Sequence, residues 1–113
     1  MSMKVNDNDK TMIKNLVNEV KSSLNINETI NIEIKPMKQK IASFSFKTKT
    51  LRLNKFVVEN FEKELLYYII LHELIHFKVK STNHNLAFEN ELKKHFSEEI
   101  CYEIELKIIQ KLI

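Results

Sequence analysis

Residues 72–76 of the chain are His-Glu-Leu-Ile-His. On a helix, positions four apart lie one turn apart on the same face, so His72 and His76 can address a single ion. Zinc accepts histidine nitrogen at about 2.0–2.1 Å, which one helical turn supplies without strain. Glu73 lies roughly a third of a turn further round, too far aside to share the ion in the same way. It is placed to take a proton from water and hand it to a leaving amine, which is what metal-assisted hydrolysis asks of a carboxylate. As plain surface residues these three would need no explanation. However, they interrupt the most apolar stretch of the chain, where an unpaired polar group costs about 1–3 kcal/mol.

A catalytic zinc needs a third protein ligand and one open position. His84 follows His76 after Ser81-Thr82-Asn83, a break that lets the chain turn back and present it at the start of the next helix. Glu89 and Glu91 are its rivals, because a carboxylate from a following helix can fill the same corner. The non-metal reading of His84 is a surface residue capping a helix. His95, beside Lys93 and Lys94, is expected to be exposed. The expected set is therefore His72, His76 and His84 on zinc, with Glu73 as general base in a peptidase. The competing reading is a non-catalytic zinc-binding module, regulatory or structural, which would carry the same residues.

Several elements must hold these side chains in place. Residues 9–24 place Met12, Ile13, Leu16, Val17, Val20 and Leu24 at helical spacing, with Asp9 as the expected N-cap. TINIEIK alternates Ile30, Ile32 and Ile34 with polar residues and ends at Pro36. QKIASFSFK alternates through Ala42, Phe44 and Phe46, and LRL follows a polar KTKT turn. Three antiparallel strands are expected, too short to enclose a core without helices over one face. From Asn60 to Lys80 the apolar residues lie on most sides, which predicts a central buried helix carrying the histidines. Further helices are expected from about 85 to 96 and from about 98 to 113. The fold class is α+β, in one domain spanning 1–113.

Composition limits the alternatives. The chain has 113 residues, 18 basic and 15 acidic, for a net charge of +3. Its lysines are scattered and Arg52 is the single arginine, a poor basis for a nucleic-acid groove. One cysteine, Cys101, leaves no internal disulfide, which suits a reducing compartment. No stretch approaches the roughly 20 apolar residues of a membrane span, and no signal-peptide core opens the chain. A cytoplasmic setting is expected. Glycine is absent, so turns requiring positive φ are expected at asparagines such as Asn25, Asn27, Asn54, Asn60, Asn83 and Asn85.

LRLNKFVV (51–58), YYIILHELIHF (67–77) and NHNLAF (83–88) together resemble the minigluzincins. These are small metallopeptidases related to the catalytic domains of the membrane peptidases HtpX and the CAAX prenyl proteases. The resemblance is specific over about the central third of the chain. It implies histidine rather than glutamate as third ligand, which falls on His84. A similar order of strand, HELxH and NH…F occurs in YgjP-like proteins. The metzincin pattern does not fit, since its glycine is missing and the interval from His76 to His84 is too long. By analogy, a strand at the cleft rim, Phe44 to Lys47, is expected to pair with substrate backbone. No tyrosine stands out as oxyanion stabiliser. Tyr67 and Tyr68 are expected in the core and Tyr102 in the last helix.

In that last helix the apolar residues from Ile100 to Ile113 cover roughly 240° of the wheel, more than one packing face needs. Glu105 falls near the middle of the arc, where an unpaired carboxylate is costly. Two readings follow. Residues 98–113 plug or cover the metal cleft, within one chain or by exchange between two, bringing Glu105 or Cys101 toward the zinc. Otherwise they form a plain homodimer seam with Glu105 at its edge. Latency through C-terminal segments is also what the minigluzincin resemblance implies.

Overall fold

The computed structural model describes residues 6–113. Its elements run α1 (Asp7–Leu24), β1 (Asn31–Lys35), β2 (Ala42–Ser45), β3 (Thr50–Asn54), α2 (Lys55–Asn60), α3 (Lys63–Val79), α4 (Leu86–Lys93) and α5 (Glu98–Leu112). This is the expected α+β class, with one correction to the sheet. The strand order is β1-β3-β2, with β1 parallel and β2 antiparallel to β3.

The expectation of three antiparallel strands assumed that consecutive strands are neighbours. Instead the link from Pro36 to Ile41 crosses the end of β3, and Asn54 holds it there. The Asn54 side-chain amide donates to the carbonyls of Met37 and Lys40, both at 2.9 Å. β3 thereby takes the middle and is the most deeply buried strand, with Leu51 and Leu53 wholly covered. Register places Ile32, Leu51 and Phe44 in one row across the sheet, and Ile34, Leu53 and Ala42 in the next. The opposite face carries Glu33, which accepts from Arg52 Nε at 2.8 Å.

Helix α1 begins earlier than expected. Asn6, not Asp9, is the N-cap, and its side chain accepts from the Asp9 amide at 2.7 Å. Asp7 and Asp9 then sit in the first turn, where the helix dipole favours negative charge. The short helix α2 has no distinct signal in the apolar pattern; Asn54 caps it by accepting from the Phe56 amide. Among the described residues positive φ occurs at Asn25, Lys49 and Lys80, so asparagine covers one of the three. Asn54 and Asn85 act as N-caps instead.

α3 is buried along most of its length, packed between α1 on one side and β2, α4 and α5 on the others. Ile70, Leu71, Leu74 and Ile75 lose all exposure there. The histidine-bearing turn is therefore fixed by the core itself rather than by a loop.

Candidate metal centre

His72, Glu73 and His76 lie in the last two turns of α3, and the helix end brings in the rest. Lys80 adopts a left-handed conformation (φ 56), its amide directed at the carbonyls of His76 and Phe77. The Ser81 amide also reaches the His76 carbonyl, at 3.2 Å, so the helix closes in a Schellman turn. That turn points the Ser81 carbonyl back at His76, whose Nδ1 lies 2.8 Å away. A carbonyl can only accept, so His76 carries its proton on Nδ1 and leaves Nε2 free for an ion.

After the turn, the Ser81 hydroxyl accepts from the Asn83 amide at 3.1 Å, and Asn85 starts α4 by accepting from the Phe88 amide at 3.0 Å. His84, immediately before that cap, faces back toward α3. Ring centroids are 5.2 Å apart for His72 and His76, 4.7 Å for His72 and His84, and 5.0 Å for His76 and His84. One nitrogen from each ring falls in a group spanning at most 4.8 Å. Three imidazoles with converging nitrogens are a donor set that suits a borderline divalent ion such as zinc. His84 is exposed overall, but desolvation of the ring face packed on Phe88 pushes its pKa below the usual histidine value. His72 and His76 push it further down, and Glu89 and Glu73 oppose them. The ring therefore favours the neutral form that a metal requires.

Phe88 is the floor of this arrangement. Wholly buried, it stacks on His84 at 4.4 Å between centroids, and lies 4.6 Å from His76 and 5.0 Å from His72. Sequence reasoning did not give Phe88 a role at the site, nor Ser81. The available signal was the four-residue interval from His84 to Phe88, one helical turn. The carbonyl of Ser81 had no signal, because it depends on a backbone turn.

The rival carboxylates separate. Glu91 is buried on the far side of α4, 2.5 Å from Lys78 and 3.4 Å from Lys94. Burial raises its pKa, but the two lysines outweigh it and hold the carboxyl ionised. Glu89 stays at the site, half-buried in the wall of a cavity of about 660 Å³ that also reaches His72, Glu73 and His84. His95 is half-buried rather than exposed. Glu73 Oε2 lies 3.5 Å from His72 Nδ1 and borders a second cavity, of about 440 Å³, on the β2 side. The carboxylate thus stands between two open spaces.

α5 forms one wall of the larger cavity rather than filling it. Ile104 and Ile108 seat it on the core, while Ile100, Tyr102, Leu106, Ile109, Leu112 and Ile113 are exposed. Glu105 is not buried in an apolar arc as expected; it is exposed and accepts a hydrogen bond from the buried Tyr68 hydroxyl. Burial and that carboxylate push the Tyr68 pKa far up, so its hydroxyl keeps its proton. Burial likewise raises the Cys101 pKa, leaving a thiol rather than a thiolate. Tyr67 packs edge-on against Phe96 at 6.4 Å. Among the described residues no helix is long and apolar enough to cross a membrane.

Residues 5–107 match the family described as YgjP-like, metallopeptidase domain. An uncharacterized protein of Methanocaldococcus jannaschii is 76% identical over 111 residues, which is 98% of this chain and 100% of that one. The crystal structure of the metallopeptidase zymogen of jannalysin, from the same organism, superposes with a TM-score of 0.88 at 72% identity. The match covers 100% of this chain and 98% of that one. The metallopeptidase zymogen of abylysin, from Pyrococcus abyssi, gives 0.83 at 36% identity over 88% of this chain and 94% of its own. The resemblance carried by the HELIH and NHNLAF segments is thus borne out at the level of family and class. With the family match across nearly the whole chain and two peptidases sharing its fold, this protein belongs to the YgjP-like metallopeptidases.

Proposed function

We propose that the chain is a zinc peptidase with His72, His76 and His84 as metal ligands and Glu73 as general base. The convergence of three imidazole nitrogens within 4.8 Å, with Glu73 beside them, carries this reading. A bound zinc ion supplies an acidified water and a polarised scissile carbonyl. Glu73 would take a proton from the attacking water and return it to the departing amine, a role suited by its place between the two cavities. Ser81 fixes the His76 tautomer, and Phe88 holds the three rings in register. Open space on both sides of Glu73 favours a catalytic site over a closed structural one.

Substrate binds as an extended strand along β2, whose outer edge is unpaired in the β1-β3-β2 order. Ala42, Ser43 and Phe44 line the smaller cavity with Glu73 and His76, which supports that placement. β2 ends at Ser45, so Phe46 and Lys47 lie beyond the strand itself. α5 acts as a latency segment of the one domain. Its exposed apolar face is covered by a second copy, and Glu105 is held by Tyr68 beside the metal site. A peptide or protein is the substrate, and the reducing cytoplasm suits the single thiol.

Elemental analysis paired with cleavage of casein by wild type and Glu73→Gln tests the chemistry. One zinc per chain in both is expected, with activity in the variant lower by roughly 10²-fold or more. Equal cleavage by the two proteins would remove Glu73 from the mechanism. Wild-type protein that holds no stoichiometric zinc would remove the whole reading.

A further inference from the structure

At the sheet edge opposite the metal centre, α1 and β1 enclose a cleft of about 830 Å³, the largest among those described. Its floor is apolar. Ile32 and Ile34 are half-buried there, in contrast to Leu51 and Leu53 in the same rows of the sheet, which are fully covered. α1 packs chiefly on α3, and leaves this part of β1 open.

The β1 backbone is open too. The Asn31 amide donates to the Lys49 carbonyl at 2.8 Å, so in this parallel pairing residues 31, 33 and 35 turn their polar groups to β3. Ile32 and Ile34 consequently direct an amide and a carbonyl outward. No backbone group among the described residues pairs with them.

Charge decides what fits. Lys10, Lys14 and Lys21 project from α1 along one line of the helix, at intervals of four and seven residues. None of the three has an acidic partner among the described residues, and no acidic side chain lines the cleft. Lys55, at its far end, is already paired with Glu59 at 2.9 Å. A second copy offering the same edge would bring like charges together, whereas an acidic strand satisfies both the lysines and the free backbone groups.

We propose that this cleft docks an extended acidic peptide segment, which adds as a strand to the free edge of β1. Apolar side chains at alternate positions of the segment lie over Ile32 and Ile34, and flanking carboxylates meet Lys10, Lys14 and Lys21. The site is separate from the metal centre and gives the protein a means of holding an acidic partner without cleaving it.

The test uses the full-length, zinc-loaded protein and a fluorescent peptide of sequence Glu-Glu-Ile-Glu-Ile-Glu-Glu. Anisotropy should show saturable binding that weakens with added salt, and about tenfold weaker binding to Lys14→Glu/Lys21→Glu. Lys14→Gln/Lys21→Gln should fall between that variant and wild type, which guards against a folding defect in the charge-reversed protein. Hydrogen exchange should slow at the Ile32 and Ile34 amides and not in β2. The proposal fails if binding does not saturate, if it ignores the lysine substitutions, or if protection appears in β2. Displacement by an oligothymidylate of equal charge at equal concentration would mean a general polyanion surface, and would also overturn it. So would sedimentation showing that copies pair through β1 and exclude the peptide.

Discussion

At the scale of single residues, the centre works by setting the tautomer of one imidazole and the charge state of another. Ser81 does this for His76 by accepting its Nδ1 proton. For His84 the means are burial of its ring face and the two neighbouring histidines, which hold its pKa below the ordinary 6.5. The folded chain thus binds this proton less readily than the unfolded chain. The associated stability is present in full above about 6.5 and is lost as pH falls through the depressed folded value. Metal affinity declines in the same direction, because the proton and the ion compete for one nitrogen. Melting temperatures of metal-free protein should therefore drop between about pH 7 and pH 5, and less steeply in His84→Gln. Parallel slopes for the two proteins would show that His84 is not the group responsible.

At the scale of elements, the caps and turns set the geometry. With no glycine available, lysine takes the left-handed position at two of the three sites where the described chain needs it. Lys80 recovers part of the cost by lying 5.0 Å above the Phe77 ring. Lys49, in the turn between β2 and β3, has no such contact among the described residues. Lys49→Gly should therefore stabilise the protein by up to about 1 kcal/mol, read from denaturant midpoints. The attachment of α5 is a second test. It rests on Ile104, Ile108 and the Tyr68–Glu105 bond, with Lys111 paired to Glu62 near the far end. Tyr68→Phe removes one charge-assisted hydrogen bond without opening a cavity and should cost roughly 1–2 kcal/mol. If α5 is the latency segment, the same substitution should raise cleavage of casein. A destabilised variant with unchanged activity would separate α5 from latency.

For the whole molecule, the core and the metal centre are one structure. Phe88 belongs to both, so Phe88→Ala should cost about 3–5 kcal/mol and also weaken zinc binding, as measured by unfolding and by chelator competition. The α+β class, α3 as the buried central helix and the pairing of His72 with His76 were legible from the sequence, because each depends on periodicity within one continuous segment. The side chain of His84 was legible as the leading candidate, with Glu89 and Glu91 as rivals. Only the fold turned Glu91 away into an ion pair with Lys78 and Lys94. The parallel pairing of β1 was likewise hidden, since alternation shows which side chains point inward and not which strand lies beside which. Glu105 shows the same limit, because its partner Tyr68 is 37 positions away. Local spacing determined which residues this chain can offer to an ion. The choice among them, and the cavities on either side, came from contacts between distant segments, whose energies no local pattern carries.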